Sequence, residues 1–369
     1  MILSKSENIF SAGAIKLTSF AQELKDWNHY KPFVPLTLEI HSTEICNHRC
    51  PNCQGLYTIS SDETNFRTRK YMHLDLDLLE SVWEMPPKGI VISGNTGEPL
   101  LHPDIARLLT TLGEKKLPAV LITNGEALTG NLASLAVRVC RGIRISLDAD
   151  NPDLFKCTHG VKMDSWQRVL HSIHLLIEAR QQSQRSAADC LIGIGYLTDE
   201  LTRDGMIPAT QLARSLGVDY IQFRPFHYSF TDINKEFREC QKFESNNFKV
   251  FASDQKYRLF GNLSRYYSHC HGAHFYTVLD ARGDFYICCH HVRNLDARLG
   301  SLNTQSWHDF VISAHRRQRI ANFDLSQCVP LCRLHTHNEL LELMKEKEPI
   351  VSYQNINLPS LIHYHMPFL

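Results

Sequence analysis

Three cysteines lie within eight residues of one another in the stretch TEICNHRCPNCQG. Cys46, Cys50 and Cys53 have the spacing C-x3-C-x2-C, which lets their thiolates meet around one metal centre. Thiolates are soft ligands that favour zinc, copper(I) or iron–sulfur clusters. A cubane [4Fe–4S] cluster held by three thiolates keeps one iron free, whereas zinc would need a fourth ligand such as His41 or His48. The spacing therefore predicts an open iron–sulfur cluster, with zinc as the alternative.

A second group of cysteines lies in the C-terminal part of the chain. Seventeen residues separate its first two members, and its last two are spaced C-x3-C. Apolar runs at 275–279 and 285–287 flank a turn that contains Gly283, so a hairpin would bring the first two thiols together. Four thiolates would close a cluster, but nearby histidines leave a structural zinc site as the alternative. The group comprises Cys270, Cys288, Cys328 and Cys332, and the adjacent Cys289 leaves the second ligand open.

The composition is that of a globular protein with balanced charge. Of 369 residues, 43% are apolar and 21% are charged, and 39 Lys and Arg residues match 39 Asp and Glu residues. This balance argues against a global positive field that would attract nucleic acid or anionic membranes. The N-terminus lacks a signal-peptide pattern, and no apolar run is long enough to span a bilayer. We therefore expect a soluble cytoplasmic protein, whose twelve cysteines favour metal or redox chemistry over disulfides.

Alternating apolar and helical patterns predict the elements that position these cysteines. Strands are expected at 36–41, 90–93, 119–123, 143–147, 191–196 and 220–224, and helices at 10–28, 75–85, 103–115, 128–140, 163–182 and 206–216. Strands that alternate with helices indicate an α/β protein with a parallel sheet. Six such units suit an open, partial (β/α)6 TIM-like barrel. The cysteine triplet follows the first strand, at the end where such sheets bind ligands.

Three further loops follow predicted strands at the same end of the sheet. They are SGNTGEPLL at 93–101, TNG at 123–125 and RISLD at 144–148. Glycines let the backbone approach a ligand closely, and an ammonium group needs carbonyl and carboxylate acceptors. Ser146 and Asp148 alternate along their strand, so both side chains point to one face. These loops predict a ligand site opposite the cysteine triplet.

Together these motifs resemble radical S-adenosylmethionine (SAM) enzymes over residues 36–226. CNHRCPNC resembles the three-cysteine loop of that family, GEPLL its GGEPLL motif, and the other two loops its TNG and SLD motifs. The resemblance implies that Cys46, Cys50 and Cys53 hold a [4Fe–4S] cluster whose fourth iron is chelated by the amino and carboxyl groups of SAM. It implies reductive cleavage of SAM to a 5′-deoxyadenosyl radical, which abstracts hydrogen from the substrate.

The resemblance also implies which residues bind SAM. Ser146 and Asp148 would contact its ribose or carboxylate. The residue before the third cysteine is commonly aromatic in the family, but here it is Asn52, so Tyr57 is expected to share the adenine contact. Arg224 ends the sixth strand and, by its position and not by the resemblance, is assigned to the same site, where its fork would bind a carboxylate or phosphate; the alternative is a pair with a neighbouring acidic residue. The loop expected to bind the SAM amino group consists of Gly94, Asn95, Thr96, Gly97 and Glu98.

The second cysteine group resembles the SPASM and twitch extensions of radical SAM enzymes, which carry auxiliary iron–sulfur clusters. Its cysteines are too few for the two clusters of a SPASM domain, so the resemblance implies a twitch-like domain with one auxiliary [4Fe–4S] cluster. Its ligands would be Cys270, Cys288, Cys328 and Cys332. Cys289 and Cys240 are candidates for an accessible thiol that returns a hydrogen atom to the substrate.

The expected organisation is a helical segment (1–35), a radical SAM core (36–230), a connecting region (231–265) and an auxiliary cluster domain with its tail (266–369). Many peptide-modifying relatives carry a larger N-terminal recognition domain, so we expect a small polar substrate of the sugar, aminosugar or nucleoside type. The reaction would be an oxidation, epimerisation or rearrangement, with electrons from a flavodoxin- or ferredoxin-type donor. The alternatives are a peptide maturase and a non-enzymatic zinc or iron–sulfur protein.

Overall fold

The chain is organised around a ten-stranded sheet. The computed structural model describes residues 16–53, 55, 73–95, 97–227, 229–259 and 265–346. The order of strands across the sheet is β10-β9-β8-β1-β2-β3-β4-β5-β6-β7. The strands are β1 (Thr37–His41), β2 (Gly89–Ser93), β3 (Ala119–Thr123), β4 (Cys140–Ser146), β5 (Leu191–Thr198), β6 (Tyr220–Pro225), β7 (Lys249–Ala252), β8 (Tyr276–Leu279), β9 (Asp284–Tyr286) and β10 (Arg298–Ser301).

Strands β1 to β7 run parallel in sequence order, which confirms the predicted α/β fold class and its partial barrel. Alternate residues of a strand point to opposite faces. Leu38 and Ile40 on β1 therefore pack in the apolar core, whereas Glu39 and His41 are buried polar residues on the other face. That second face is the inner face of the partial barrel, and it carries the polar side chains of the site.

Helices connect the parallel strands and cover the outer face of the sheet. In α3, for example, Ile105, Leu108, Leu109 and Leu112 recur at helical spacing and are buried in the core. Within the described residues, none of the helices has the length and apolar character needed to cross a membrane. The helices are α1 (Ala21–Asn28), α2 (Glu80–Glu84), α3 (Ile105–Glu114), α4 (Gly130–Val139), α5 (Pro152–His159), α6 (Asp164–Gln182), α7 (Met206–Ser215), α8 (Asn234–Gln241), α9 (Asp254–Leu259), α10 (Trp307–Ile312), α11 (Ala314–Asn322) and α12 (His335–Glu346).

Sequence reasoning missed several elements, of which β7 and α5 concern the site. Strand β7 lies in the predicted connecting region and adds a seventh parallel strand beside β6. Helix α5 begins after Asn151, whose side chain accepts a hydrogen bond from the backbone of Leu154 over 2.9 Å, and it ends at Gly160, with φ 59°. Both elements are too short for a periodic apolar pattern to reveal them. Of the predicted helix at 10–28, the structure has α1, and residues 10–15 lie outside the described residues.

The C-terminal strands continue the same sheet. Strand β8 pairs in parallel with β1. Strand β9 pairs in antiparallel fashion with β8 on one side and with β10 on the other. The predicted hairpin is present as β8 and β9, with Gly283 at φ 80° in its turn, a conformation that favours glycine. The hairpin therefore lies directly beside the strand that leads into the cysteine triplet.

Candidate cluster and cofactor site

The cysteine triplet occupies the loop after β1, at the carboxyl end of the parallel strands. Cys46 is exposed, whereas Cys50 and Cys53 are half-buried. The loop turns where the N–H of Cys53 donates to the carbonyl of Cys50 over 3.1 Å. Burial, and then the charges of Cys53 and Cys46, raise the pKa of Cys50, so the other two thiols lie near enough to act on it electrostatically. We refer to these three residues as the open cysteine group.

The turn after β3 anchors the open cysteine group through Glu126. Nε2 of His48 lies 2.6 Å from Oε2 of Glu126, and Nε of Arg168 donates to Oε1 over 2.8 Å. In the same turn, Nδ2 of Asn124 donates to Oδ1 of Asn47 over 2.9 Å. Sequence reasoning identified the TNG turn but missed these contacts, because they join residues that are far apart in the chain.

The loop after β2 packs against the cysteine loop without room for side chains. A Cβ atom at Gly97 would lie 2.0 Å from the carbonyl oxygen of Thr43, and one at Gly94 would lie 1.8 Å from that of Gly97. The N–H of Glu98 also donates to the carbonyl of Ile45 over 2.7 Å. Glycine is therefore required at both positions, and the backbone of this loop lies beside the cysteine loop.

Asn95 connects this loop to the open cysteine group and to Cys289. Sγ of Cys53 lies 3.5 Å from the carbonyl oxygen of Asn95, and Nδ2 of Asn95 donates to the carbonyl of Cys289 over 2.9 Å. The loop therefore lies between the open cysteine group and the C-terminal cysteines. Thr96 and Tyr57, both predicted to bind SAM, lie outside the described residues.

Glu98 holds the loops after β2 and β3 together. Its Oε2 accepts from the N–H of Asn124 over 2.7 Å, and its Oε1 accepts from the N–H of Leu100 over 3.1 Å and from the hydroxyl of Thr123. Only 3% of the residue is exposed, and this burial raises the pKa of Glu98 to about 7 despite the three donors. A residue predicted to bind SAM thus has a structural role that the motif alone did not reveal.

The end of β4 contributes Ser146 and Asp148. Oδ1 of Asp148 accepts from the N–H of Leu197 over 2.6 Å, and its Oδ2 lies 4.0 Å from Nε2 of His159. Asp148 has φ 47°, in the left-handed region that Asp adopts more readily than most residues. Asp148 is therefore held in place at the predicted site, between β4 and β5.

Two predicted residues reach the site from further along the sheet. Nδ2 of Asn52 donates over 3.1 Å to Oδ2 of Asp199, which follows β5, so Asn52 tethers the cysteine loop to that strand. Arg224 on β6 lies beside Arg144 on β4. A Cβ atom at Gly195, on the strand between them, would lie 3.2 Å from Nη2 of Arg224 and 3.2 Å from Cδ of Arg144.

The four predicted cysteines of the second group lie together in the C-terminal region. Burial, and then the charges of Cys289 and of the other three cysteines of the group, raise the pKa of Cys288. Three members are buried and Cys328 is half-buried. We refer to the four as the enclosed cysteine group: Cys270, Cys288, Cys328 and Cys332.

The two predicted hydrogen donors lie on different sides of the sheet. Nη1 of Arg333 lies 3.7 Å from Sγ of Cys289 and donates to Oε2 of Glu39 over 2.6 Å, so Cys289 borders the inner face of the barrel. Cys240 lies on α8, where its thiol interacts with Thr210 on α7 within the helix-covered core. Only Cys289 of the two is therefore placed near the SAM loop.

Histidines also lie beside the open cysteine group. One ligand atom from each of His48, Cys50 and His159 lies within 4.8 Å of the other two, and Nδ1 of His48 and Nε2 of His159 are buried without a hydrogen-bond partner. His41 instead lies 3.0 Å from Oε1 of Glu39 through its Nε2. Of the two histidines considered for a zinc site, the structure brings only His48 to the cysteines.

Comparison with known proteins gives a family match for part of the chain. A family model described as the radical SAM superfamily matches residues 40–203. Among solved structures, SuiB of Streptococcus suis bound to S-adenosylmethionine is similar at 16% identity with a TM-score of 0.59, covering 90% of this chain and 79% of that chain. The protein anSMEcpe with bound AdoMet is similar at 15% identity with a TM-score of 0.54, covering 90% and 97%. No curated protein sequence is significantly similar to this chain.

The matched residues include the open cysteine group, the glycine loop after β2 and the end of β4. At such low identity, the solved structures show a shared fold. The family implies a [4Fe–4S] cluster and SAM as cofactors, and the residues present fit both. Three soft thiol donors suit three irons, and Gly94 and Gly97 let the loop after β2 pack directly against the cysteine loop. Residues 40–203, somewhat less than half of the chain, therefore match the radical SAM superfamily.

Proposed function

We propose that this protein cleaves SAM reductively and removes a hydrogen atom from a small polar substrate. The observation that carries the proposal is the grouping of three cysteine sulfurs beside a glycine loop in which a Cβ atom would clash. Three thiolates suit a [4Fe–4S] cluster that keeps one iron available to another ligand. The outcome for the substrate would be an oxidation, an epimerisation or a rearrangement.

Cys46, Cys50 and Cys53 would hold this cluster. When bound, the cluster and SAM supply reductive cleavage and hydrogen-atom abstraction, and the protein supplies binding and orientation. The backbone of Gly94, Asn95 and Gly97 would offer carbonyl groups to the SAM ammonium. Ser146 and Asp148 would offer a hydroxyl and a carboxylate to its polar groups. These roles follow from the residue types and from their placement at one end of the sheet.

Asn52 would have a different role from the aromatic residue that the family usually has at this position. Its amide is engaged by Asp199, so it would fix the distance between the cysteine loop and β5. The adenine of SAM would then contact the backbone and apolar parts of this region. Histidine and carboxylate anchors of the loop, His48 and Glu126, would keep the three thiols in position.

The enclosed cysteine group would hold an auxiliary [4Fe–4S] cluster with all four irons bound by protein. Such a cluster has no iron left for a substrate, so its role would be electron transfer. Asn338 supports this site: its Nδ2 donates to Sγ of Cys270 over 3.8 Å, and its Oδ1 accepts from the N–H of Gly272 over 2.7 Å. Cys288 would be the ligand, because Cys289 faces Glu39 and Arg333.

A peptide is the second candidate substrate. The structure of SuiB bound to its precursor peptide SuiA is similar to this chain at 15% identity with a TM-score of 0.59, covering 83% of this chain and 71% of that chain. This similarity concerns the fold, so it keeps a peptide substrate as an alternative. In either case a flavodoxin- or ferredoxin-type donor would supply the electron.

The test is anaerobic purification followed by reaction with dithionite and SAM. We expect about eight irons per chain and formation of 5′-deoxyadenosine that depends on dithionite. Zinc in place of iron, together with intact SAM, would contradict the proposal. Deuterium transfer from labelled candidates into 5′-deoxyadenosine would then separate small metabolites from peptides.

A further inference from the structure

The inner face of the barrel carries two arginines that lack acidic partners. On β4, Ile143 and Ile145 are buried in the core, so Arg144 between them projects to the inner face. On β6, Ile221 and Phe223 are likewise buried in the core. Arg224 is the next residue after Phe223, so its side chain points to the opposite, inner face. The two arginines therefore approach β5 from its two sides.

The two guanidinium groups meet over Gly195. The position of a Cβ atom there lies 3.4 Å from Nε of Arg144 and 3.2 Å from Nη2 of Arg224. A larger residue at this position would separate them. Two like charges on either side of one residue repel each other, and burial together with Arg224 lowers the pKa of Arg144 to about 9. Such an arrangement is unfavourable unless an anion lies between or beside the two groups.

No carboxylate of the described residues forms an ion pair with either arginine, and Nε of each is buried without a hydrogen-bond partner. Orphaned guanidinium nitrogens are rare in folded proteins, because an unsatisfied buried donor costs free energy. Their planar forks match the oxygens of a carboxylate or a phosphate. The unmet donors thus indicate a ligand with anionic oxygens.

Lys256 on α9 adds a third positive charge. Burial, and then the charge of Arg224, lower the pKa of Lys256 to about 7. Glu39 acts on Arg144 but offsets these charges only in part, because it also pairs with Arg333 and accepts from the hydroxyls of Ser93 and Tyr276. The three cations therefore exceed the acidic charge that faces them.

Asp148 lies between this cationic group and the open cysteine group. Its charge raises the pKa of Cys50, and it opposes the burial that lowers the pKa of Arg224. Asp148 is the carboxylate that acts on Arg224, and Glu39 is the one that acts on Arg144. With Arg333 included, four cations face two carboxylates, which leaves an excess of two positive charges. This balance favours a ligand with two negative charges over one with a single charge.

We propose that Arg144, Arg224 and Lys256 bind a dianionic phosphate group of the substrate on the inner face of the barrel. This inference rests on the proposed function, because the anion site would hold the substrate beside the SAM site. Arg224 would then bind the phosphate of the substrate and not SAM, to whose site the sequence assigned it. The substrate class is a phosphorylated polar molecule whose phosphate is anchored away from the reacting carbon.

The test is calorimetric titration of the SAM-loaded holoenzyme with methyl phosphate, inorganic phosphate and acetate in an amine buffer. We expect both phosphates to bind and acetate to bind at least about tenfold more weakly. Arg144→Gln and Arg224→Gln should each weaken phosphate binding at least about tenfold, without changing the affinity for SAM. Gly195→Ala tests the geometry without removing a charge and should also weaken phosphate binding. The control is Arg214→Gln, at an exposed position on α7, which should bind phosphate as the wild type does.

Three results would overturn the inference. Phosphate binding that persists in the Arg144→Gln, Arg224→Gln double variant would place the anion elsewhere. Acetate binding as tightly as phosphate would indicate a carboxylate ligand. Loss of SAM affinity in Arg224→Gln, in parallel with phosphate affinity, would assign this residue to SAM.

The titration requires no turnover, so a protein that forms 5′-deoxyadenosine but does not bind phosphate contradicts this inference alone. A protein that binds phosphate but never cleaves SAM contradicts the proposed function.

Discussion

The two cysteine groups differ in number, exposure and surroundings. The open group has three thiols in a loop of eight residues, with Cys46 exposed to solvent. The enclosed group takes four thiols from residues 270 to 332, and three of these are buried. One group lies beside a glycine loop whose backbone packs directly against it, and the other lies among packed side chains.

This difference follows from the elements that supply each group. A single loop after β1 supplies all three open thiols, so its remaining side is available to a second molecule. The enclosed thiols come from both sides of the β8–β9 hairpin and from the segment before α12, which surround the site. A centre built from one loop can bind a substrate, whereas a centre built from several segments stabilises the fold that holds it.

The largest expected effect comes from Cys50→Ala. Removing one of three thiols should abolish 5′-deoxyadenosine formation and lower the iron content by about four per chain. The enclosed group should keep its iron. Iron analysis and product chromatography measure both outcomes, with Cys157→Ala, an exposed cysteine on α5, as the control. Full activity in Cys50→Ala would refute the assignment of the open group.

Cys328→Ala makes the complementary change in the enclosed group. We expect it to lower iron by about four per chain and to reduce the free energy of unfolding by about 3 kcal/mol, because three thiols would remain buried without their metal. SAM cleavage should persist, since the open group is intact. Iron analysis and anaerobic chemical unfolding provide the measurements. Unchanged iron content would show that this group holds no cluster.

Gly97→Ala should affect the open group alone. The new methyl carbon would lie 2.0 Å from the carbonyl of Thr43 and would push the glycine loop away from the cysteine loop. We expect the affinity for SAM to fall at least about tenfold, while the iron of the enclosed group stays bound. The matched control is Gly130→Ala, where the added carbon meets nothing within 4 Å. Equal SAM affinity in both variants would remove the glycine loop from the SAM site.

Glu98→Gln gives the smallest effect, which depends on pH. Burial raises the pKa of Glu98 to about 7 from its ordinary value of 4.5, so the folded state binds the extra proton between these pH values. Its contribution to stability is therefore present at low pH and is lost as the pH rises towards 7. The slope, about 1.4 kcal/mol per pH unit at most, should disappear in Glu98→Gln. Urea unfolding between pH 5 and pH 7 tests this, with exposed Glu84→Gln as the control; an unchanged slope would contradict it.

Local patterns in the sequence predicted the parallel strands and the loops that follow them. Each of these features is encoded within a few consecutive residues, such as the apolar run of β3 followed by TNG. Contacts between distant segments could not be predicted. Asp199 beside Asn52, Glu126 beside His48, and Arg333 beside Glu39 depend on how strands and loops pack in three dimensions. The continuation of the core sheet into β8 likewise depends on pairing that no local pattern encodes.

The central claim is that the open cysteine group binds SAM through its cluster and the enclosed group does not. The most direct measurement is the electron paramagnetic resonance spectrum of the reduced protein, recorded with and without SAM, for Cys328→Ala and Cys50→Ala. We expect SAM to change the spectrum of Cys328→Ala, which keeps the cluster of the open cysteine group, and to leave the spectrum of Cys50→Ala unchanged. A SAM-induced change in Cys50→Ala, or none in Cys328→Ala with its remaining cluster loaded, would contradict it.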